Sequence, residues 1–286
     1  RRIFQGSLSV NTNMPDQFQL SFLAVGPGRS GTTWLNEALR HHPGLCFPLN
    51  VKETMFFDRH HDKGLSWYAD HFRHCKPGQL CGEVGPTYFH VPDAPERIKQ
   101  AIPGCKIIIT IRDPVSRTLS GYRHHLSKGR VAGSLTDATH KMPSIVDSGK
   151  FSVHIPRWLE TFGKEAVTFA LLDDIQAHPA HVLRSIYGFL DVDDVAPPPG
   201  TYDRVGVASM SRHRNLARAA TALADWLRAR RLYGVVEFGK ALGLKRVYRG
   251  REGNMPDLTE AERTELLAEF EPDIQYVEKL LDRDLS

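Results

Sequence analysis

The stretch FLAVGPGRSGTTWLNEALRHHPG, residues 22–44, constrains this chain more than any other. It is a short apolar run, a turn with three glycines, and an amphipathic segment that stops before Pro43-Gly44. Continuous apolar runs suit strands of a parallel sheet covered on both faces. The segment from about Thr33 to His41 has the pattern of a helix. A glycine turn between strand and helix lets the backbone approach an anion, and the free N–H groups of the first helical turn point at it. Arg29 adds a fixed positive charge on a planar fork, and Ser30, Thr32 and Thr33 add hydroxyls. This is the make-up of a phosphate-binding loop. A Walker A loop, however, needs G-x-x-x-x-G-K-[ST]. Gly26 and Gly31 have that separation, but Thr32 stands where the lysine would be. A nucleotide hydrolase built on this loop would lack its main γ-phosphate contact.

The rest of the chain follows the same alternation. KIIITI (106–111) is the clearest central strand and VTFALL (167–172) is another. Helical stretches lie at 94–102, with Asp93 placed to cap, and at 179–190. Strands alternating with helices predict a three-layer α/β/α fold around a central parallel sheet, P-loop-like in its first unit. After DVDDVAPPPG (191–200) the character changes. Residues 213–231 read as an Arg- and Ala-rich helix, and 243–256 as a Gly- and Arg-rich loop. Thr259 and Glu262 form a capping box that opens a helix with Leu266, Leu267, Phe270, Ile274, Val277 and Leu281 on one face. Pro272 is expected to kink or divide it. This C-terminal part has too few strands for a second α/β domain. The chain is therefore read as a single domain over 1–286: an arm at 1–19, an α/β core at 20–195, and a helical appendage at 196–286.

With 286 residues the chain is long enough to bury a substantial core. Its net charge of +4 suits an anion held locally better than a nucleic acid. The RARR cluster at 228–231 sits on one short helix without an aromatic platform, so nucleic-acid binding is not expected. No stretch approaches the ~18 apolar residues of a membrane span. Cys46, Cys75, Cys81 and Cys105 are too few for a disulfide framework and include no C-x-x-C pair. They read as reduced thiols, with Cys75 and Cys81 as the pair an oxidising compartment would allow. His60, His61, His71 and His74 lack paired cysteines or an H-E-x-x-H spacing, so no metal centre is expected.

GPGRSGTTWL resembles the 5′-phosphosulfate loop of sulfotransferases that use 3′-phosphoadenosine 5′-phosphosulfate (PAPS). The family carries a second element, an Arg after a central strand and a Ser eight residues later. IIITIRDPVSRTLSGY supplies both, as Arg112 and Ser120. The physics agrees: ligands bind at the carboxyl ends of strands in open α/β sheets, and Pro114 is tolerated in a first helical turn. The resemblance implies that Arg29, Ser30, Gly31, Thr32, Thr33 and Trp34 surround the 5′-phosphate, with Arg29 near the bond that breaks. It further implies that Arg112 and Ser120 grip the 3′-phosphate. Arg117 supports the loop or lies at the surface. Arg212 and Arg249 are candidates for the basic segment that closes over the nucleotide.

NVKETMFFDRHHDKGLSWYADHF (50–72) resembles the glucosaminyl sulfotransferases of heparan sulfate biosynthesis, which place a Glu before an aromatic pair and then a GLxWY stretch. That match implies Glu53 as general base, with Lys52 and Asp58 as neighbours that tune or orient it. GEVGPTYF (82–89) continues the likeness, although Val84 and Met55 stand where related glycan enzymes have Lys and His. His124 or His125 is the second choice of base. The likeness runs from about Leu23 to Leu190 and returns at 266–286. It implies in-line transfer of the sulfuryl group from PAPS to a hydroxyl or amine of a small-molecule, lipid or carbohydrate acceptor, leaving 3′-phosphoadenosine 5′-phosphate. A sulfuryl group carries less charge than a phosphoryl, so no metal is required on charge grounds. The alternative is a P-loop kinase or NTPase, opposed by Thr32 and by Asp113, beside Pro114, as its only candidate Mg²⁺-holding acid. Reduced thiols point to a bacterial cytoplasm; the Golgi lumen is the alternative for a chain whose N-terminal anchor was removed.

Overall fold

The computed structural model describes residues 20–201, 214–230, 232–241 and 255–285. Five strands, β1 (Leu20–Ala24), β2 (Leu45–Cys46), β3 (Leu80–Val84), β4 (Lys106–Ile111) and β5 (Val167–Leu171), form one sheet in the order β2-β3-β1-β4-β5. Every pairing is parallel. Among the described residues eight helices have at least eight residues. They are α1 (Thr32–Arg40), α2 (Ala94–Ala101), α3 (Pro114–Ser127), α4 (Phe151–Phe162), α5 (Pro179–Leu190), α6 (Arg214–Ala229), α7 (Tyr233–Ala241) and α8 (Glu260–Leu281).

Successive strand residues feed opposite layers, as the pleat requires. Leu23, Ile107, Ile109 and Ile111 join one core with residues of α2 and α4. Phe22, Ala24 and Ile108 join the other with α1 and α5. Each fully buried Leu, Ile or Phe contributes about 1.5–3 kcal/mol. Between Leu20 and Phe22 the β1–β3 register slips. There Gly82 makes room: a Cβ on it would lie 2.1 Å from the Phe22 ring. A third core packs Val115 and Tyr122 of α3 against Leu135, Ile145 and the α8 residues Leu266 and Phe270.

β1 leads to β2 on one side and β4 to β5 on the other, so the direction of winding reverses between the neighbours β1 and β4. Their carboxyl ends are the crevice where such a sheet binds ligands. The glycine turn leaves β1 there, and Arg112 leaves β4 there.

Three local expectations need correction. Asp93 does not cap α2; its carboxylate takes the Arg97 guanidinium one turn on at 3.1 Å. Pro272 does not divide α8, which runs unbroken across it. The adjacent buried Asp273 instead ties α8 to the start of α4, accepting from the Ser152 N–H and hydroxyl at 2.8 and 2.6 Å. The cysteines are not all reduced, and Cys75 pairs with Cys46 rather than Cys81. That disulfide fastens β2 to the far end of the segment carrying Glu53, while Cys81 and Cys105 stay free and buried. The capping box at Thr259 forms as read. The arm at 1–19, most of the loop at 243–256, Arg212 and Arg249 lie outside the described residues. No helix among the described residues is long and apolar enough to cross a membrane.

Candidate active site

The turn after β1 is held in an uncommon backbone. Arg29 has φ 75° and Gly31 φ 90°. For a non-glycine residue the first costs about 1–2 kcal/mol. Positive φ at alternate residues turns the intervening N–H groups toward one concavity. Gly31 begins α1 without a side-chain cap, leaving the first-turn N–H groups available to a ligand. Gly26 lets the turn press on β4: a Cβ there would sit 2.1 Å from the Thr110 nitrogen. The hydroxyls of Ser30 and Thr110 are buried here and have no hydrogen-bond partner. Buried polar atoms left so are costly, and ligand oxygens would satisfy them.

The two halves of the anticipated nucleotide site meet. The Arg29 Nε donates to the Ser120 hydroxyl at 3.0 Å. Arg112 donates to the Arg29 carbonyl at 3.2 Å. Burial, and then the neighbouring Arg112 charge, lower the pKa of the Arg29 guanidinium. A second cation near enough to lower the Arg29 guanidinium makes this a favourable place for an anion. Thr32 is buried and Thr33 partly exposed at the helix start. The Trp34 side chain turns away into the apolar layer beneath, with Leu35 and Ala38, so only its backbone faces the loop. Arg117 is a buried support, donating to Ser148 at 2.8 Å and to the Ile145 carbonyl.

Glu53 lies in the loop after β2, partly buried, with Lys52 Nζ 3.1 Å from its carboxylate. Asn50 and Met55 on either side have positive φ. What fixes this loop is Glu83, at the carboxyl end of β3, which the sequence pattern did not single out. Its fully buried carboxylate accepts from the Thr54 N–H, from the Thr54 hydroxyl at 3.0 Å and from the Tyr68 hydroxyl at 2.9 Å. The Tyr88 hydroxyl donates to it as well. Glu83 thus holds the residue next to Glu53 against the strand beside β1. The one available signal was a lone acid in an otherwise apolar strand, LCGEV.

Burial pushes the Glu83 carboxyl up to about 7, against the pull of its Thr54 and Tyr68 donors. Because the folded value lies above the unfolded one, its stabilisation is whole below the ordinary Glu range and is lost as pH rises through about 7. The expected result is that unfolding free energy falls from about pH 5 to 8, and that Glu83→Gln flattens this part of the profile. Denaturant titrations across that range check it. Equal slopes in the two proteins would contradict it.

His124 and His125, at the end of α3, are pushed down to about 3 and 4, first by burial and then by charges that include Arg29. They are neutral near pH 7. His71 is tied to the Trp67 and Tyr68 carbonyls and to Tyr233. His74 lies 3.5 Å from Cys46, whose sulfur is already bonded to Cys75.

A model of the sulfotransferase domain matches residues 21–200. The chain belongs to the sulfotransferase family. Its curated relatives include mouse heparan sulfate glucosamine 3-O-sulfotransferase 3B1, 33% identical over 177 residues that make up 59% of this chain and 45% of that one. Another is the bifunctional heparan sulfate N-deacetylase/N-sulfotransferase 1 of Caenorhabditis elegans, 29% identical over 64% of this chain and 23% of that one. The chain thus spans less than half the length of these relatives. A crystal structure of a sulfotransferase from Alicyclobacillus acidocaldarius shares the fold, with a TM-score of 0.68 and 22% identity over 94% of this chain and 98% of that one. The matched residues include the Arg29 turn and the Arg112–Ser120 pair.

Proposed function

We propose that this sulfotransferase moves the sulfuryl group of PAPS to a hydroxyl or amine of a carbohydrate acceptor, with Glu53 as general base. The observation that carries the reading is the Arg29–Ser120–Arg112 cluster, which joins the two anion-holding elements at the sheet's switch point. The carbohydrate is favoured because the relatives are named for glucosamine and heparan sulfate transfer. Bound at this site, PAPS supplies a sulfuryl group on a phosphate leaving group. The α1 N–H groups, Ser30, Thr32 and Thr33 suit its 5′-phosphate, and Arg112 with Ser120 its 3′-phosphate. Arg29 bears on the oxygen where negative charge develops as the bond breaks. Glu53 takes the acceptor's proton, with the Lys52 ammonium 3.1 Å from it and Glu83 keeping the loop in place. The Cys46–Cys75 disulfide supports an oxidising compartment over a cytoplasmic one.

The direct test is transfer of radiolabelled sulfate from PAPS to a panel of glucosamine-containing oligosaccharides, beside phenolic acceptors. Label on the sugars alone is the expected result. Label on phenols alone would move the acceptor class, and label on neither would oppose the reading. Arg112→Ala should weaken binding of 3′-phosphoadenosine 5′-phosphate by about 1.5–3 kcal/mol, the scale of a lost charge-assisted hydrogen bond. Calorimetry measures it, and wild-type affinity in that variant would contradict the assignment.

A further inference from the structure

Helix α6 is turned inside out. Leu216, Ala219, Ala220, Leu223, Trp226 and Leu227 share one face at helical spacing, and the pattern alone predicts that this face is buried. The opposite face meets the body instead: Asp225 accepts from Arg130 at 3.1 Å. Leu216, Leu223 and Trp226 are 50–57% exposed. α7 repeats the arrangement. Its Tyr233 hydroxyl lies 2.9 Å from His71 Nε2, while Val235 and Phe238, with Leu232 just before the helix, face solvent. Six of the nine large apolar side chains exposed among the described residues sit on this helix pair and its connection. Scattered surface hydrophobics do not accumulate in this way.

Charge indicates what covers the patch. Residues 212–251 hold eleven Lys and Arg against two acids, and the rest of the chain is net negative. The Arg230 guanidinium stacks 3.9 Å over the Trp226 ring, which places a cation on the patch itself. Trp and Leu on one face with Arg bordering them is the composition of a helix lying in the interface of an anionic bilayer. A two-fold contact between copies of this chain would set the basic segment against itself.

We propose that α6 and α7 dock this protein on the surface of a membrane bearing anionic headgroups. The six apolar side chains enter the interface, and Arg218 and Arg230 beside them meet the headgroups. The attachments give docking a consequence. Arg130 neighbours His124 and His125 after α3, and His71 lies on the segment that carries Glu53. The docked pair is therefore tied to both walls of the site. The docking does not depend on the catalytic reading.

Co-sedimentation of the full chain with phosphatidylcholine vesicles, with and without about one-third phosphatidylglycerol, tests the proposal. Binding should be at least about tenfold tighter with the anionic lipid and should weaken as salt is added. A Trp226→Glu, Phe238→Glu double variant should lose at least about tenfold in vesicle affinity. Its affinity for 3′-phosphoadenosine 5′-phosphate should be unchanged, which also shows that it folds. In the wild type, Trp226 fluorescence should shift to the blue on vesicles and be quenched by brominated lipid, a signal absent in Trp226→Phe. Equal binding to both vesicle types overturns the proposal, as does a double variant that still binds. Light scattering from a dimer that Trp226→Glu dissociates, without vesicle binding, would assign the patch to a second copy instead.

Discussion

Arg29→Ala is expected to lower kcat by about 10²–10³, the loss seen when a preorganised donor to a developing oxyanion is removed. The site gives the reason. Arg29 is held in a left-handed backbone, bonded through Nε to Ser120, and its pKa is lowered by burial and by Arg112. Such an arrangement is stable in the presence of an anion and strained without one. Arg29→Lys keeps the charge but loses the fork that reaches Ser120, so it should recover only part of the rate. Single-turnover transfer from labelled PAPS measures both, with circular dichroism to confirm folding. An alanine variant within a few-fold of wild type would remove Arg29 from the chemistry.

Glu53→Gln should lower kcat by about 10²–10⁴, the usual contribution of a positioned general base. Affinity for 3′-phosphoadenosine 5′-phosphate should change little, because the nucleotide is assigned to the β1 and β4 ends rather than to the loop after β2. Binding retained with turnover lost is the signature to seek. His124→Asn is the informative partner, since that imidazole is neutral near pH 7, although burial and Arg29 make it a weak base. Full turnover in Glu53→Gln together with loss in His124→Asn would transfer the base to the histidine.

Much of this architecture follows from local pattern. KIIITI is β4 end to end because four isoleucines and a β-branched threonine suit a strand covered on both faces. The spacing from Arg112 to Ser120 is about two helical turns, and Asp113 caps the intervening start by accepting from Ser116 N–H at 2.7 Å. Partnerships between distant segments were not legible. Glu83 draws its donors from residues 54, 68 and 88, and no local pattern marks a carboxylate that three separate segments converge on. Cys46 and Cys75 meet across 29 positions for the same reason. Trp34 sits inside the loop motif by sequence, yet one helical step carries its side chain into the core. The inverted α6 is the sharpest case: periodicity locates an apolar face but does not say that the other face holds Arg130.

The Arg29 turn and the Arg112–Ser120 pair are proposed to form one site for a 3′,5′-bisphosphorylated adenosine. Calorimetric titration with 3′-phosphoadenosine 5′-phosphate tests it most directly, with ATP run in parallel with and without Mg²⁺. Tight, Mg²⁺-independent binding of the bisphosphate with little response to ATP is the expected result. Binding of ATP that requires Mg²⁺, with no response to the bisphosphate, would contradict it and favour a kinase.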